Sequence, residues 1–581
     1  VKRFRTILAF APRYRGLIAA GFAALIVSRT LALAVPKILG RSFDEIARGP
    51  ALDPGFVAAA AWLLVGISAV LGVAHFAMRW FLITTSRRLE RDLRNRLYGH
   101  LLTLDPAFYH HRATGDLMSR ASFDVEQVRL AIGPGVMYIA NTIFVVPLAL
   151  ALMLSASARL TLFAILPLFG IAVIGRLLAP RMQILSRKVQ ESAGRLSTRA
   201  QESFAGARVV KVFAREENEV REFEEETKAY LGASMRLAKV NALLRPSLMA
   251  LEGIGSLVLL FAGGRLIMGG EFTVGQLLTF YAYQRLLIWP MIAIGWVIGL
   301  FQRGAAAMVR IDEILAARPL VPEPAGGAAP GPVRGEIGIR NLTFAYDGVP
   351  VLRDVSLSVP AGTSLAVVGP TGSGKSTLAG LLLRQYPVPE GTVFLDGIDL
   401  AHWPTGALRA AIGAVPQETI LFSDTIRANI AFGRPDASLE AVVAAARKAG
   451  LDDEVAAFPA GYDTLLGERG VNLSGGQKQR TALARALLRS PPVLILDDAF
   501  SSVDTETEER ILASLAGEIR GRTTILVSHR ISTVRRADRI AVLEEGRIVE
   551  HGTHEELIGL GGRYAALERR QQLAREVETM A

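Results

Sequence analysis

The chain has 581 residues, enough for several domains; 51% of them are hydrophobic and only 20% charged, with a mean hydropathy of +0.33. That balance excludes an ordinary soluble enzyme and predicts a membrane protein. A formal charge of +11 without any dense Lys/Arg tract interleaved with aromatics points to cationic loops facing anionic lipid rather than to nucleic acid, and the absence of cysteine excludes disulfides, thiolate metal sites and cysteine nucleophiles.

The opening VKRFRTILAFAPRYRG reads as a basic amphipathic segment at the membrane surface, without a signal-peptide cleavage pattern. Six stretches are then apolar enough to cross a bilayer, at about 16–36, 54–79, 130–155, 159–179, 246–266 and 272–302. The cleanest, Leu130–Ala158, contains no ionisable side chain, and Arg159 alone separates it from the next, so these two form a hairpin. An even number of crossings leaves both ends on one side. Lys2, Arg3, Arg5, Arg13 and Arg15 place that side in the cytoplasm, so the chain is expected in the inner (plasma) membrane. Charges inside spans are costly, which makes Arg29, Arg79, Glu252 and Arg285 candidates for a polar cavity, with Glu252 available to an arginine. Phe272, Phe280, Tyr281, Tyr283 and Trp289 on the last span are suited to apolar cargo or, equally, to packing. No residue pattern names a substrate.

Two connections, His75–Arg129 and Arg176–Arg245, are long, charged and helix-periodic, as in SRRLERDLRNRLYGHLLTL, with breaks at Asp105–Tyr109 and Phe204–Arg208. At ~30 Å per 20 residues such helices project well clear of the bilayer and return. Arg318–Gly335 carries five prolines and four glycines in 18 residues, a linker and domain boundary. Strand and helix patterns alternate beyond it, as in an α/β domain. Ile337–Tyr346 alternates as a strand. The apolar strand Ser364–Val368 runs into Gly369-Pro370-Thr371-Gly372-Ser373-Gly374-Lys375-Ser376, a complete phosphate-binding loop G-x-x-x-x-G-K-[ST]. Its glycines let backbone N–H groups approach phosphate oxygens, and the helix opening near Lys375 turns its positive end toward them. A second apolar strand, Val493–Leu496, ends in Asp497 and Asp498, acid placed where open α/β sheets bind ligands. Lys375 then reaches the β/γ-phosphates while Ser376 and Asp497 hold Mg²⁺.

Between these motifs lies Leu473-Ser474-Gly475-Gly476-Gln477, and with this LSGGQ run residues from about 334 to 570 resemble the nucleotide-binding domain of ABC transporters. The resemblance implies further roles. Tyr346 stacks on adenine, and Gly369, Pro370, Thr371, Gly372, Ser373, Gly374, Lys375, Ser376 and Thr377 bind ATP. Gln417, in VPQE, matches the Q-loop that senses Mg²⁺ and the attacking water. His529, in LVSH, matches the switch histidine at the γ-phosphate. Ser474–Gln477 cap the ATP of a partner domain, so one chain completes no site alone. Ser501 and Asp504 belong to the D-loop along the dimer interface, and Thr464–Gly470 resembles the X-loop of exporters. Six spans with long cytoplasmic extensions resemble the ABC exporter transmembrane domain, whose two bends are coupling helices. The expected organisation is a six-helix all-α transmembrane domain at 1–317, a linker at 318–335, an α/β ABC ATPase at 336–570 and a charged helical tail at 571–581.

The sequence departs from the family in one place. Glu normally follows the Mg²⁺-binding Asp and polarises the water; here the residue is Asp498, one methylene shorter. The pattern resembles the Asp-bearing half of bacterial heterodimeric multidrug-type exporters, in which this chain's own ATP site is degenerate and its signature completes the partner's. The alternatives are a homodimeric exporter or lipid flippase with Asp498 as working base, and a regulatory ATP-binding half. Expected partners are a second half-transporter, membrane lipid and a small amphipathic substrate (drug, lipid or peptide). A soluble ABC ATPase conflicts with the uncharged run, and an importer normally carries its ATPase on a separate chain.

Overall fold

A computed structural model of the chain describes residues 4–49, 53–324, 331–503, 505–519 and 521–580. They form two compact units, one made of 1–103 and 113–317, the other of 104–112 and 318–581. The first unit is helical. Its long elements are α1 (Arg15–Ile46), α2 (Pro54–Leu101), α4 (Thr114–Ala156), α5 (Ala158–Ala205), α7 (Glu216–Met268) and α8 (Val274–Ala316), with the short α6 (Ala207–Val212) between α5 and α7. Two π-turns, Arg120–Asp124 and Ala131–Gly135, interrupt α4, the second at Pro134, which cannot donate to the helical ladder.

Five of these helices are long and apolar enough to cross a membrane: the one running through Ala11–Ile46, then α2, α4, α7 and α8. The expected crossing at 159–179 lies in the first part of α5, where a shorter apolar stretch, Ala158–Pro167, is found. The helices continue well past their apolar parts. α2 runs 48 residues without a break, and beyond its apolar half it buries Glu90 against Arg129 of α4 at 3.4 Å. Arg94 and Arg87 reach the same carboxylate at 2.9 and 3.1 Å, so a buried acid is compensated by three cations. α8 is fastened to α1 by Asp44, which accepts from Thr273 Oγ1 and Gly275 N at 2.7 Å each. Tyr283 donates to the Leu33 carbonyl at 2.9 Å. Phe280 and Tyr283 pack in a core with Leu33, Met153, Leu160 and Leu259, and of Phe272, Phe280, Tyr281, Tyr283 and Trp289 only Trp289 is well exposed, at 58%. Packing is therefore the role of Phe280 and Tyr283. The second break in the long connections falls at Gly206, after which α6 exposes Val209 and Val212, followed by the exposed Phe213 just past its end.

The second unit holds a six-stranded sheet in the order β10-β9-β3-β8-β7-β6. Its strands are β3 (Ser364–Val368), β6 (Ile412–Val415), β7 (Val493–Asp497), β8 (Thr523–Val527), β9 (Arg539–Glu544) and β10 (Arg547–Gly552). All but β10 run parallel, and β3, β7 and β8 are buried along their whole length, which is why they read as unbroken apolar runs. A smaller antiparallel sheet, in the order β2-β1-β4-β5, is made of β1 (Ile337–Tyr346), β2 (Val349–Val359), β4 (Val393–Leu395) and β5 (Ile398–Asp399), and the alternating burial of β1 and β2 shows one face on the core.

Two findings amend the expected organisation. Residues 104–112, which include the short helix α3 (Pro106–His110) from the first long connection, belong to the ATPase unit. The start of the proline-rich segment is also fastened there. The buried Asp105 accepts from the backbone N–H of Leu320 and, at 3.2 Å, of Val321. Arg384, itself buried, donates to the carbonyls of Trp403 and Pro322, and Glu323 accepts from Thr405 N at 3.1 Å. A carboxylate that closes two backbone donors cannot be removed without orphaning them, at about 1–3 kcal/mol. Asp105→Ala is expected to speed amide exchange at Leu320 and Val321 by roughly five- to a hundredfold, measured by hydrogen–deuterium exchange on the full chain, while exchange in β3 stays unchanged.

Candidate functional site

Adjacent parallel strands end side by side, and their carboxyl ends build the site. β3 leads into the phosphate loop, β7 into Asp498, and β8, hydrogen-bonded between them, into Ser528 and His529. The loop takes its shape from its glycines. Gly369 has φ 156° and lies so close to the Leu543 carbonyl that a Cβ has no room. Gly374, at φ 104°, is the left-handed residue from which α9 (Lys375–Leu382) starts without any side-chain cap. An uncapped helix start in a glycine cradle leaves backbone donors for an anion, and the chain fits a phosphate there.

Lys375 is buried and folded across this cradle, donating to the carbonyls of Gly369 and Pro370 at 2.9 and 2.8 Å. Burial lowers its pKa, and the nearby Asp498 and Asp497 partly offset that. Ser376 Oγ donates to Asp497 Oδ1 at 3.1 Å, joining the loop to the end of β7. Burial raises the pKa of Asp497, the Ser376 hydrogen bond opposes this, and the charge of Asp498 adds to it. A hydroxyl and a carboxylate in contact, with the carboxylate short of compensating charge, form a donor set suited to a hard divalent cation.

Asp498 has a left-handed backbone, φ 47°, a conformation short polar residues tolerate best. Its N–H donates to the Val527 carbonyl at 2.9 Å. His529 Nδ1 lies 3.1 Å from Asp498 Oδ1, a contact that places the ring proton on Nδ1 while the carboxylate is ionised. The imidazole is 57% exposed and the carboxylate only 11%. Lys375, Ser376, Asp497, Asp498 and His529 are thus brought together. Gln417 is not: it is exposed, two residues past β6. Asp504 lies outside the described residues.

Tyr346, at the end of β1, donates to Thr377 Oγ1 at 3.3 Å and stands edge-on to Phe344 and Tyr386, with ring centroids 5.0 and 5.1 Å apart. Tyr386 completes this aromatic cluster and was not expected from the sequence. Burial, reinforced by Tyr346, pushes its pKa up to about 12, so it stays neutral.

Ser474 caps α10 (Gly475–Leu488), accepting from Gln477 N at 3.2 Å while the Gln477 side chain accepts from Ser474 N at 2.9 Å. Leu473 is buried in the core, so within LSGGQ it packs. Among the described residues no hydrogen bond or ion pair joins Ser474–Gln477 to the phosphate loop. Three more residues hold the site's loops. Gln479 donates to Ser501 Oγ at 2.7 Å and accepts from Ser502 N at 2.9 Å. Arg530 donates to the carbonyls of Val503 and Ser501 at 2.9 and 3.1 Å and pairs with the fully buried Glu508 at 2.7 Å. Gln571, from α11 (Arg563–Met580), donates to the His529 carbonyl at 2.5 Å and accepts from Ile531 N at 2.8 Å. Lone polar residues give no periodic signal, so a single sequence could not mark them.

In the helical unit a cavity of about 870 Å³ is lined by Phe4, Ile139, Ile143, Ile294 and Phe301. The aromatics first associated with cargo, Phe272, Phe280, Tyr281, Tyr283 and Trp289, are not among its walls.

Residues 18–291 match the family described as ABC transporter transmembrane region, and residues 352–501 the family described as ABC transporter. Over 93% of its length the chain is 37% identical to the probable multidrug resistance ABC transporter ATP-binding/permease protein YheI of Bacillus subtilis, covering 92% of it. It is 35% identical to the ATP-dependent lipid A-core flippase of Nitrosococcus oceani, with 98% of this chain and 95% of that one covered. A bacterial Atm1-family ABC exporter solved with ATP bound superposes with a TM-score of 0.79 at 30% identity, covering 96% of this chain and 98% of the other. A helical membrane region followed by an α/β ATPase, matched end to end by such relatives, makes this chain a member of the ABC exporters with fused transmembrane and ATPase domains, an ATP-hydrolysing transporter.

Proposed function

We propose that the chain is one half of a heterodimeric exporter of the inner membrane, and that its own ATP site turns over slowly. The single observation behind this is Asp498, at the carboxyl end of β7 with its carboxylate on His529. In this reading Asp498 is the base that polarises water. Against the Glu of the family it is one methylene short, a displacement of ~1 Å, which can cost about 10²-fold in rate. Ser474, Gly475, Gly476 and Gln477 would instead complete the competent site on a partner that keeps the Glu.

The remaining residues take the roles their positions suit. The loop Gly369–Ser376, with Thr377, binds the phosphates of ATP, and Lys375 supplies a cation already desolvated at the cradle. Tyr346, with Tyr386 behind it, offers an aromatic edge for adenine. Ser376 and Asp497, with Gln417, would hold Mg²⁺, which neutralises phosphate charge when bound. His529 holds Asp498 through Nδ1 and turns its exposed ring toward the γ-phosphate position. Ser501 and Asp504 run along the dimer interface. The boundaries at 318–335 and 571–581 and a sixth crossing at 159–179 belong to this proposal, as do α3 and α6 as coupling helices. Relatives described as multidrug transporters and lipid flippases favour an amphipathic or hydrophobic cargo (drug, lipid or peptide), and the apolar cavity beside Phe4 and Phe301 suits one. The second reading is a homodimeric exporter or flippase, favoured by the intact contact between Asp498 and His529.

Lys375→Met, which removes the charge and keeps the volume, is expected to weaken binding of a fluorescent ATP analogue by roughly ten- to a hundredfold, the loss of about 1.5–3 kcal/mol of charged hydrogen bonding. Steady-state ATPase of the chain in lipid nanodiscs separates the two readings. The heterodimer predicts near-zero turnover with ATP still bound, and a gain of up to about 10²-fold in Asp498→Glu. Strong activity in the parent, abolished in Asp498→Asn, would establish the homodimer instead.

A further inference from the structure

Helix α11 lies on the ATPase core through one stripe of its surface. Tyr564 is fully buried, with its hydroxyl 2.8 Å from His554 Nδ1, and Leu567, one turn on, packs against the same core. Glu550 of β10 accepts from the N–H groups of Arg563 and Tyr564, at 3.0 Å for the latter, so the start of the helix is fixed. The next position of that stripe, two turns from Tyr564, suits an apolar residue and holds Gln571 instead. Its amide bridges two backbone groups, donating to the His529 carbonyl at 2.5 Å and accepting from Ile531 N at 2.8 Å. The fork fits because Arg530, between them, is extended at φ −96° and ψ 123°, which turns the carbonyl before it and the N–H after it to one side. The Arg530 side chain leaves the same segment toward the carbonyls of Ser501 and Val503 and toward Glu508. The backbone that carries His529 is thus held between two anchors, while among the described residues the imidazole itself has one contact, Nδ1 to Asp498.

A half-exposed ring with one side-chain contact takes its position from its backbone, and a hydrogen bond from it to a phosphate oxygen is good only near about 2.7–3.2 Å. We propose that Gln571 is a positioning residue for His529: through its two bonds α11 sets the imidazole at the height of the γ-phosphate, and so sets how strongly the site prefers ATP over ADP. ADP lacks the phosphate that His529 meets. A tether that acts through His529 is therefore felt by ATP alone, whereas a side chain that only stabilises the fold is felt equally by both nucleotides. The proposal rests on the reading that His529 faces the γ-phosphate, and is independent of how fast Asp498 works and of which chain is the partner.

The test titrates the full chain in lipid nanodiscs with Mg²⁺ and either ADP or β,γ-imido-ATP, which is not hydrolysed, in competition with a fluorescent nucleotide. Gln571→Leu continues the apolar stripe and removes both bonds. Gln571→Glu keeps an acceptor for Ile531 N and removes the donor to the His529 carbonyl. Each is expected to lower the preference for β,γ-imido-ATP over ADP by roughly three- to tenfold, the worth of about one hydrogen bond, with ADP affinity held within about twofold. His529→Ala lowers the preference at least as far, and adding Gln571→Leu to it lowers it no further. Gln572→Leu is the control: its side chain turns to Glu568 at 3.3 Å, and the variant keeps the parent's preference. A loss in His529→Ala with none in either Gln571 variant overturns the proposal and leaves the reading of His529 standing. No loss in His529→Ala overturns both. Equal loss of the two nucleotides in Gln571→Leu marks a structural strut and overturns the proposal as well.

Discussion

The ATPase unit depends on one constraint: three neighbouring parallel strands end at the same level, and charge collects there that the protein can balance only locally. Two carboxylates, Asp497 and Asp498, and one ammonium, Lys375, meet at the ends of β3 and β7, with His529 arriving from β8 between them. Lys375 is desolvated and its pKa falls; Asp497 is desolvated and its pKa rises. Both shifts come first from desolvation, which the opposite charges beside each group offset only in part. A polyanion together with a divalent cation relieves both at once, which ties nucleotide binding to the electrostatics of the cluster.

The loops around this cluster are held from outside it. Gln479 ties Ser501 and Ser502 to the helix that follows the signature, Arg530 ties the same loop to the segment after β8, and Gln571 ties His529 to the C-terminal helix. Each of these side chains closes two backbone or hydroxyl groups, so a shift of one loop is felt by the next. That arrangement suits a domain in which, among the described residues, no hydrogen bond or ion pair joins the signature to the phosphate loop and motions must be shared.

Much of the ATPase site could be read in the sequence because its motifs are contiguous and its strands carry a strong pattern. β1, β3 and β7 fall where alternation or an unbroken apolar run places them, and Asp497 and Ser376 meet as the phosphate-loop pattern implies. Contacts made by single polar residues across long separations could not be read: Gln571 and His529 are 42 residues apart. Tyr386 was hidden because one tyrosine after a helix has no periodic neighbour to mark it. In the helical unit, periodicity located the apolar stretches but not their inward faces, so Phe280 and Tyr283 could be assigned to packing only from the structure. Composition marked Arg318–Gly335 as a linker, yet Asp105 and Arg384 hold backbone groups of its first residues and the Glu323 carboxylate accepts from Thr405 N, contacts that composition does not encode.

The central claim is that this chain's own phosphate loop retains ATP without hydrolysing it readily. The most direct measurement loads the purified chain with radiolabelled ATP and Mg²⁺ in nanodiscs, removes free nucleotide, and follows conversion of the bound label in a single turnover. The account predicts that the bound nucleotide stays ATP, while Asp498→Glu converts it to ADP up to about 10²-fold faster. Conversion in the parent at the rate of Asp498→Glu would contradict it and make Asp498 a full catalytic base.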